Sequence, residues 1–88
     1  VRLVLSSSNK ARIALEEVMK ILDVISLGSA IKERRKELNY TQKFLSEVTG
    51  LSSSFISDLE HGKETTEIGK VLFLINTLGL NFILEKRG

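Results

Sequence analysis

The chain has 88 residues, of which 42% are apolar, with six glycines, no proline and no cysteine. A chain of this length is expected to form one small domain with a single core, in which a large enzyme cleft would consume much of the stability. The lack of cysteine excludes disulfides, thiolate zinc sites and cysteine nucleophiles, and it favours the reducing cytoplasm. Thirteen Lys and Arg against eleven Asp and Glu give a net charge of +2, which is too little for an indiscriminate polybasic nucleic-acid tail.

Residues 1–26 are predicted to form an N-terminal extension. The alternation in residues 1–5 predicts a short extended piece, and the polar cluster of residues 6–9 is rich in residue types that cap helices. A helix is therefore expected from about Lys10 to Ile25. Its apolar residues recur at three- and four-residue intervals along one face: Ala14, Leu15, Val18, Met19, Leu22 and Ile25.

A second helix is expected to begin at Ser26, which is a favourable N-cap residue. Its apolar stripe comprises Leu27, Ile31 and Leu38. Arg35 also falls on this stripe, and a cation on a buried face requires an explanation. Asn39 can end the helix in the left-handed conformation, and Thr41 can cap the next helix, so a tight corner is expected between them.

Two short helices are predicted next. The first covers residues 42–49 and stops at Gly50, which supplies a positive φ at no steric cost. Ser52 caps the second, which runs over residues 53–60 before Gly62 ends it. The side chains expected to point inward are Leu45, Val48, Ile56 and Leu59.

The clearest helical pattern follows the polar connector of residues 63–66 and closes at Gly79. Its stripe comprises Ile68, Val71, Leu72, Ile75 and Leu78, with Phe73 and Leu74 lying off it. The tail, residues 81–86, favours a strand by residue type. Its apolar residues are consecutive, however, so they would project from both faces of a sheet, and a lone strand cannot bury both.

Two short helices joined at a glycine, the second opened by a serine cap, suit a DNA-reading helix-turn-helix, in which one helix holds the other in the major groove. The residues that carry this pattern are Thr41, Gln42, Leu45, Ser46, Gly50, Leu51, Ser52, Ile56, Ser57, Glu60, Gly62 and Lys63. With them the chain resembles the Cro/XRE-type, lambda-repressor-like helix-turn-helix family over residues 27–80. The continuation in residues 67–72 and 78–80 is similar to the HipB-like branch. Asn39 stands where the family usually has glycine, and Ser46 where it usually has alanine.

The resemblance implies an all-α fold. A compact helix-turn-helix domain of four core helices would occupy residues 27–80, which would read double-stranded DNA. Outside the part that the resemblance covers, the residue patterns described above predict an extra N-terminal helix in residues 1–26 and a short C-terminal β-strand in residues 81–88, which would be a dimerisation element.

The resemblance also implies phosphate contacts at the start of the helix that Thr41 caps. The free backbone N–H groups there would face a phosphate, and Gln42 would add a side-chain donor to the same strand. Lys43 and Lys63 are candidates for further phosphate contacts, although either could simply be solvated.

On the reading helix, the resemblance implies that Ser53, Ser54 and Asp58 take the positions from which base edges are reached. Ser57 also lies outside the buried stripe. Serine hydroxyls discriminate weakly between bases. Asp58 would be repelled by phosphates unless it accepts a hydrogen bond from cytosine N4; the alternative is an ordinary surface charge. Phe55 could pack on a thymine methyl group or against the neighbouring helix.

The family pairs the positions of Arg35 and Glu60 in an ion pair that links two helices. This pairing would explain the cation on the apolar stripe of the first core helix.

Other function classes lack the residues that they need. An enzyme would require a nucleophile with a base, paired carboxylates or a metal cluster, and the only histidine, His61, is interpreted as an exposed capping residue. No phosphate-binding glycine motif occurs, and neither a cofactor nor a metal is expected. The longest apolar run, residues 71–75, is about a quarter of a membrane span, so a soluble protein is expected.

In the main alternative, the chain binds a protein partner as well as DNA. Relatives with this C-terminal pattern often act as antitoxins that bind a toxin kinase and also repress their own operon. The tail residues Phe82, Ile83 and Leu84, together with Phe73 and Leu74, predict a surface for strand exchange between two copies. We therefore expect a homodimer that reads a near-palindromic operator with its reading helices about 34 Å apart.

Overall fold

The computed structural model describes residues 2–5, 13–16, 18–64 and 67–88. These ranges contain two strands, β1 (Arg2–Leu5) and β2 (Ile13–Glu16). They also contain four helices: α1 (Val24–Glu37), α2 (Gln42–Thr49), α3 (Ser53–Glu60) and α4 (Ile68–Thr77). The four predicted core helices are therefore present. Within the described ranges, no helix is long and apolar enough to cross a membrane.

The N-terminal part is an antiparallel pair of strands in which Arg2 lies opposite Glu16 and Leu5 opposite Ile13. The extended piece expected at the start agrees with β1. The predicted helix up to Ile25 is wrong, because residues 13–16 form a strand and residues 18–22 form no helix. A helical face is stable only when another element buries it, whereas the backbone of β2 finds its hydrogen-bond partners in β1. The predicted capping cluster of residues 6–9 and the helix start at Lys10 lie outside the described residues.

Helix α1 begins earlier than predicted, and its N-cap is Asp23 rather than Ser26. Asp23 Oδ1 accepts from the N–H of Ser26 at 2.8 Å, and Ser26 Oγ accepts from the N–H of Asp23 at 3.2 Å. This reciprocal arrangement is a capping box, so Ser26 occupies the third helical position. The hydrogen bond from the backbone of Ser26 lowers the pKa of the Asp23 carboxyl.

The core lies between the four helices. Its fully buried large side chains are Ile31, Leu45, Ile56, Leu59, Leu74 and Leu78. Leu74 was expected off the buried stripe of the last helix, and Ile68 and Leu72 on it, while Val48 was expected to point inward from α2. All four predictions are wrong, because Leu74 is buried and the other three side chains are exposed. Val71, Leu74 and Ile75 of α4 and its C-cap residue Leu78 point inward, a spacing that also forms one helical face.

The tail, residues 81–88, forms neither helix nor strand. The predicted C-terminal strand is therefore wrong for a single copy of the chain, because a strand needs neighbouring backbone to satisfy its hydrogen-bonding groups. Phe82, Ile83 and Leu84 are each more than half exposed.

Asn39 has a φ of 60°, the left-handed conformation predicted for the corner between α1 and α2. We expect Asn39→Ala to lower the free energy of unfolding by about 1–2 kcal/mol, because a β-carbon without a compensating polar group is strained there. Asn39→Gly should be nearly neutral. Urea denaturation measures both, with Asn76→Ala at an exposed position of α4 as a control that should lose no stability. Equal stability of Asn39→Ala and the wild type would contradict this account.

Candidate nucleic-acid interface

The turn between α2 and α3 is held by local hydrogen bonds. Gly50 ends α2 with a φ of 76°, and its N–H donates to the carbonyl of Ser46 at 2.9 Å. The Ser46 hydroxyl donates to the carbonyl of Leu51 at 2.6 Å, and Ser52 Oγ accepts from the N–H of Phe55 at 3.0 Å. The bounds predicted for both helices are confirmed. Serine at position 46 thus adds a bond across the turn.

The start of α2 carries three of the predicted contact residues, Thr41, Gln42 and Lys43. Thr41 is the N-cap, and its Oγ1 accepts from the N–H of Phe44 at 3.0 Å. The first N–H groups of the helix have no carbonyl within the helix to pair with, and they lie at the positive end of the helix dipole. Lys43 is exposed beside them. This end of α2 is suited to an anion.

The outer side of α3 carries polar side chains. Ser53, Ser54 and Asp58 are exposed, and Ser57 is half-buried. Lys63, which follows the helix, places Nζ 3.3 Å from Asp58 Oδ2. Both side chains are more than half exposed, so the pair is a weak surface ion pair that still reduces the negative charge of this face.

Phe55 is partly buried against the core rather than projecting freely from α3. The ammonium of Lys70 in α4 lies 5.7 Å from the centre of its ring, within the range of a cation–π contact. This matches the alternative of contact with a neighbouring helix. Lys70 was not among the predicted residues, because no local spacing relates it to Phe55.

Arg35 and Glu60 form a bidentate ion pair, as the resemblance implies. Arg35 Nε donates to Glu60 Oε2 at 2.6 Å, and Nη2 donates to Oε1 at 2.9 Å. The Glu60 side chain is 1% exposed and that of Arg35 9%. Burial would raise the pKa of the Glu60 carboxyl, but the hydrogen bonds from Arg35 and Gln42 outweigh it and hold that pKa below its usual range. The pair joins α1 to the last residue of α3.

Gln42 also contacts this pair. Its Nε2 donates to Glu60 Oε1 at 3.0 Å, and its side chain is partly buried. Sequence reasoning treated Gln42 and the ion pair separately and missed this bond, since the two residues lie on different helices.

His61 is the exposed C-cap residue of α3, as predicted. In the part of the chain that the structure describes, no group of three or more His, Cys, Asp or Glu residues could hold a metal ion.

Comparison with known proteins places the chain in a class. A family model described as "Helix-turn-helix domain" matches residues 28–83. The chain belongs to this family, in its Cro/XRE-type form, a class of DNA-binding transcriptional regulators that are not enzymes.

Two curated relatives extend the comparison. An uncharacterised HTH-type transcriptional regulator, y4mF, from Sinorhizobium fredii is 47% identical over 53 residues, which cover 60% of this chain and 70% of the relative. The ImmF control region 10 kDa protein of Bacillus phage phi105 is 35% identical over 66 residues, which cover 72% of each protein.

Solved structures share the fold. A HipB(S29A)–O2 20mer complex matches with a TM-score of 0.73 at 24% identity, over 82% of this chain and all of that chain. A HipB–O4 20mer complex matches with a TM-score of 0.72 at 24% identity, over 81% of this chain and all of the other.

Proposed function

We propose that the protein is a sequence-specific regulator, acting as a repressor, that reads the major groove of double-stranded DNA with α3. The observation that supports this most directly is the two-sidedness of α3. Ser53, Ser54 and Asp58 are exposed, while Ile56 and Leu59 are buried in the core. The helix is thus held by one side and offers polar groups on the other, as groove reading requires.

The start of α2 binds the phosphate backbone in this proposal. The backbone N–H groups after Thr41 and the Gln42 side chain donate to one phosphate, and Lys43 and Lys63 contact others. These contacts set the register of α3 without selecting a base.

Base selection falls to the exposed side of α3. Ser53, Ser54 and Ser57 offer hydroxyl groups that donate or accept. Asp58 accepts from cytosine N4, and the nearby Lys63 ammonium offsets its repulsion from the phosphates.

Selection from random duplexes at moderate salt tests sequence-specific binding. We expect a near-palindromic motif to be enriched, and Asp58→Asn to change the preferred base at one position of each half-site while leaving the others. Failure of the wild type to enrich any motif would contradict the regulator function.

The salt dependence of binding tests the phosphate contacts. We expect Lys43→Ala to reduce the slope of log K against log salt by about 0.9 per protomer, because one phosphate contact is lost. Lys20→Ala, on the segment that precedes α1, is the matched control and should leave the slope unchanged. Equal slopes for the wild type and Lys43→Ala would remove Lys43 from the interface.

The proposed assembly in the cytoplasm is a homodimer. Phe82, Ile83 and Leu84 are exposed, and Phe73 of α4 is 49% exposed, which leaves an apolar surface for a second copy. The prediction that Leu74 belongs to this surface is wrong, because its side chain is buried in the core. Light scattering at micromolar concentration should report a dimer; a monomer would contradict the assignment.

The second candidate function, an antitoxin that binds a kinase-like toxin, keeps the same DNA-reading site and adds a toxin protein as partner. It is supported by the C-terminal pattern shared with the HipB-like branch. A kinase-like gene beside this one, whose product co-purifies with the chain, would support it. A neighbourhood without such a gene would favour a regulator alone.

A further inference from the structure

The buried Glu60 carboxylate accepts hydrogen bonds from a second residue besides its ionic partner, Arg35. Arg35 already supplies two hydrogen bonds, one to each oxygen, at 2.6 and 2.9 Å. A bidentate guanidinium satisfies a buried carboxylate well, so the charge of Glu60 has its partner without Gln42. Glu60 Oε1 nevertheless accepts a third bond, from Gln42 Nε2 at 3.0 Å.

This third bond orients the Gln42 carboxamide. An ionised carboxylate only accepts hydrogen bonds, so the NH₂ end of Gln42 must face Glu60. The low pKa of Glu60 keeps the carboxyl ionised at neutral pH. One N–H of the NH₂ group is then committed to Glu60, and the second remains to donate to a phosphate.

The same guanidinium also restrains the backbone just before α2. Arg35 Nη1 donates to the carbonyl of Tyr40 at 2.7 Å, and the next residue, Thr41, is the N-cap of the helix. The start of α2 is therefore held at two points, at the Tyr40 carbonyl and at the Gln42 side chain. Since Glu60 is the last residue of α3, both restraints fix the position of the phosphate-binding end of α2 relative to the reading helix.

We propose that Glu60 is a positioning residue for DNA binding, which acts by orienting Gln42 toward the DNA backbone. This inference rests on the proposed function. The positioning role differs from a purely stabilising role, because Glu60 then affects DNA affinity only by way of the Gln42 side chain.

Electrostatics alone predicts the opposite change in DNA affinity for Glu60→Gln. Glu60→Gln removes a negative charge, and simple charge counting would make the protein bind DNA more tightly. The positioning role predicts weaker binding, because a glutamine at position 60 can turn its own NH₂ group toward Gln42 and no longer dictates the orientation of that carboxamide.

A double-mutant cycle tests the proposal. Binding of the wild type, Glu60→Gln, Gln42→Ala and the double variant to a mixed-sequence duplex of about 30 base pairs is measured at about 50 mM salt, where backbone contacts dominate. All measurements are made well below the melting temperature of each variant. We expect each single variant to bind about tenfold more weakly per protomer, the effect of one lost charge-assisted hydrogen bond. The double variant should bind no more weakly than Gln42→Ala.

Two further variants complete the design. Glu47→Gln, at an exposed position of α2, is the matched charge control and should bind as tightly as the wild type or slightly more tightly. Glu60→Asp keeps the charge for Arg35 but withdraws the carboxylate from Gln42, so it should reproduce the loss of binding if Glu60→Gln does not fold.

The outcomes separate the two proposals. Losses that multiply in the double variant, or tighter binding by Glu60→Gln, would overturn the positioning role while leaving DNA binding intact. A wild type that binds no duplex would overturn the proposed function itself.

Discussion

Glu60→Ala should lower the free energy of unfolding by about 3–5 kcal/mol, because it leaves the Arg35 guanidinium buried without its carboxylate. For a domain of this size such a loss is a large part of the whole stability, so folding is lost first and DNA binding as a consequence. Urea denaturation followed by circular dichroism measures the effect.

Glu37→Ala is the matched control for this prediction. Glu37 also belongs to an ion pair, with Arg34 at 3.4 Å, but its side chain is 55% exposed. Solvent screens such a pair, so its removal should cost less than about 1 kcal/mol. If Glu60→Ala unfolded at the same urea concentration as Glu37→Ala, the buried pair would not stabilise the fold.

The pH dependence of stability gives an independent check. The pKa of Glu60 is lower in the folded protein than in the unfolded chain, so its contribution to stability is fully present above the unfolded-state value. That contribution is lost as the pH falls through the folded-state pKa. The gap in stability between the wild type and Glu60→Ala should therefore narrow in acid and stay constant around neutral pH.

Gly28→Ala should lower the free energy of unfolding by about 1–3 kcal/mol, although alanine is normally the better residue in a helix by about 1 kcal/mol. A β-carbon at position 28 of α1 would collide with the backbone carbonyl oxygen of Leu59, and it would lie 3.0 Å from that of Glu60. These are backbone atoms of α3, so the collision is relieved only by moving the reading helix away from α1. Thermal denaturation measures the loss of stability.

The chain offers a matched control for Gly28 in Gly69 of α4. A β-carbon there would meet nothing within 4 Å, so Gly69→Ala should be neutral or stabilising by up to about 1 kcal/mol. If Gly28→Ala behaved like Gly69→Ala, the two helices would not be in the close contact described.

The bounds of α2 and α3 could be predicted because both ends of each helix depend on neighbouring residues. Thr41 and Ser52 accept hydrogen bonds from N–H groups three residues on, and Gly50 and Gly62 adopt a positive φ. Such interactions involve only the adjacent turn, so they can be inferred from residue type and spacing.

The N-terminal extension and the buried face of α4 could not be predicted in this way. Apolar residues at helical spacing in residues 14–25 were compatible with a helix, but residues 13–16 pair as a strand with residues 2–5. In α4, two overlapping stripes both fit a helix, and contact with the other helices selects the one that contains Leu74. Periodicity identifies possible faces, while packing selects between them.

The features of the candidate interface likewise fall into two groups: those that neighbouring residues determine and those that the packing of the helices determines. Local chemistry along the chain is enough to define the caps of α2 and α3, the glycine turns and the left-handed Asn39, and the ordered motif indicates the helix-turn-helix class. Three other features depend on the packing of the folded chain: the bond from Gln42 to Glu60, the approach of Lys70 to Phe55 and the lack of space at Gly28. Each joins residues from different helices, and their distances follow from how the core orients those helices, which no neighbouring residue encodes.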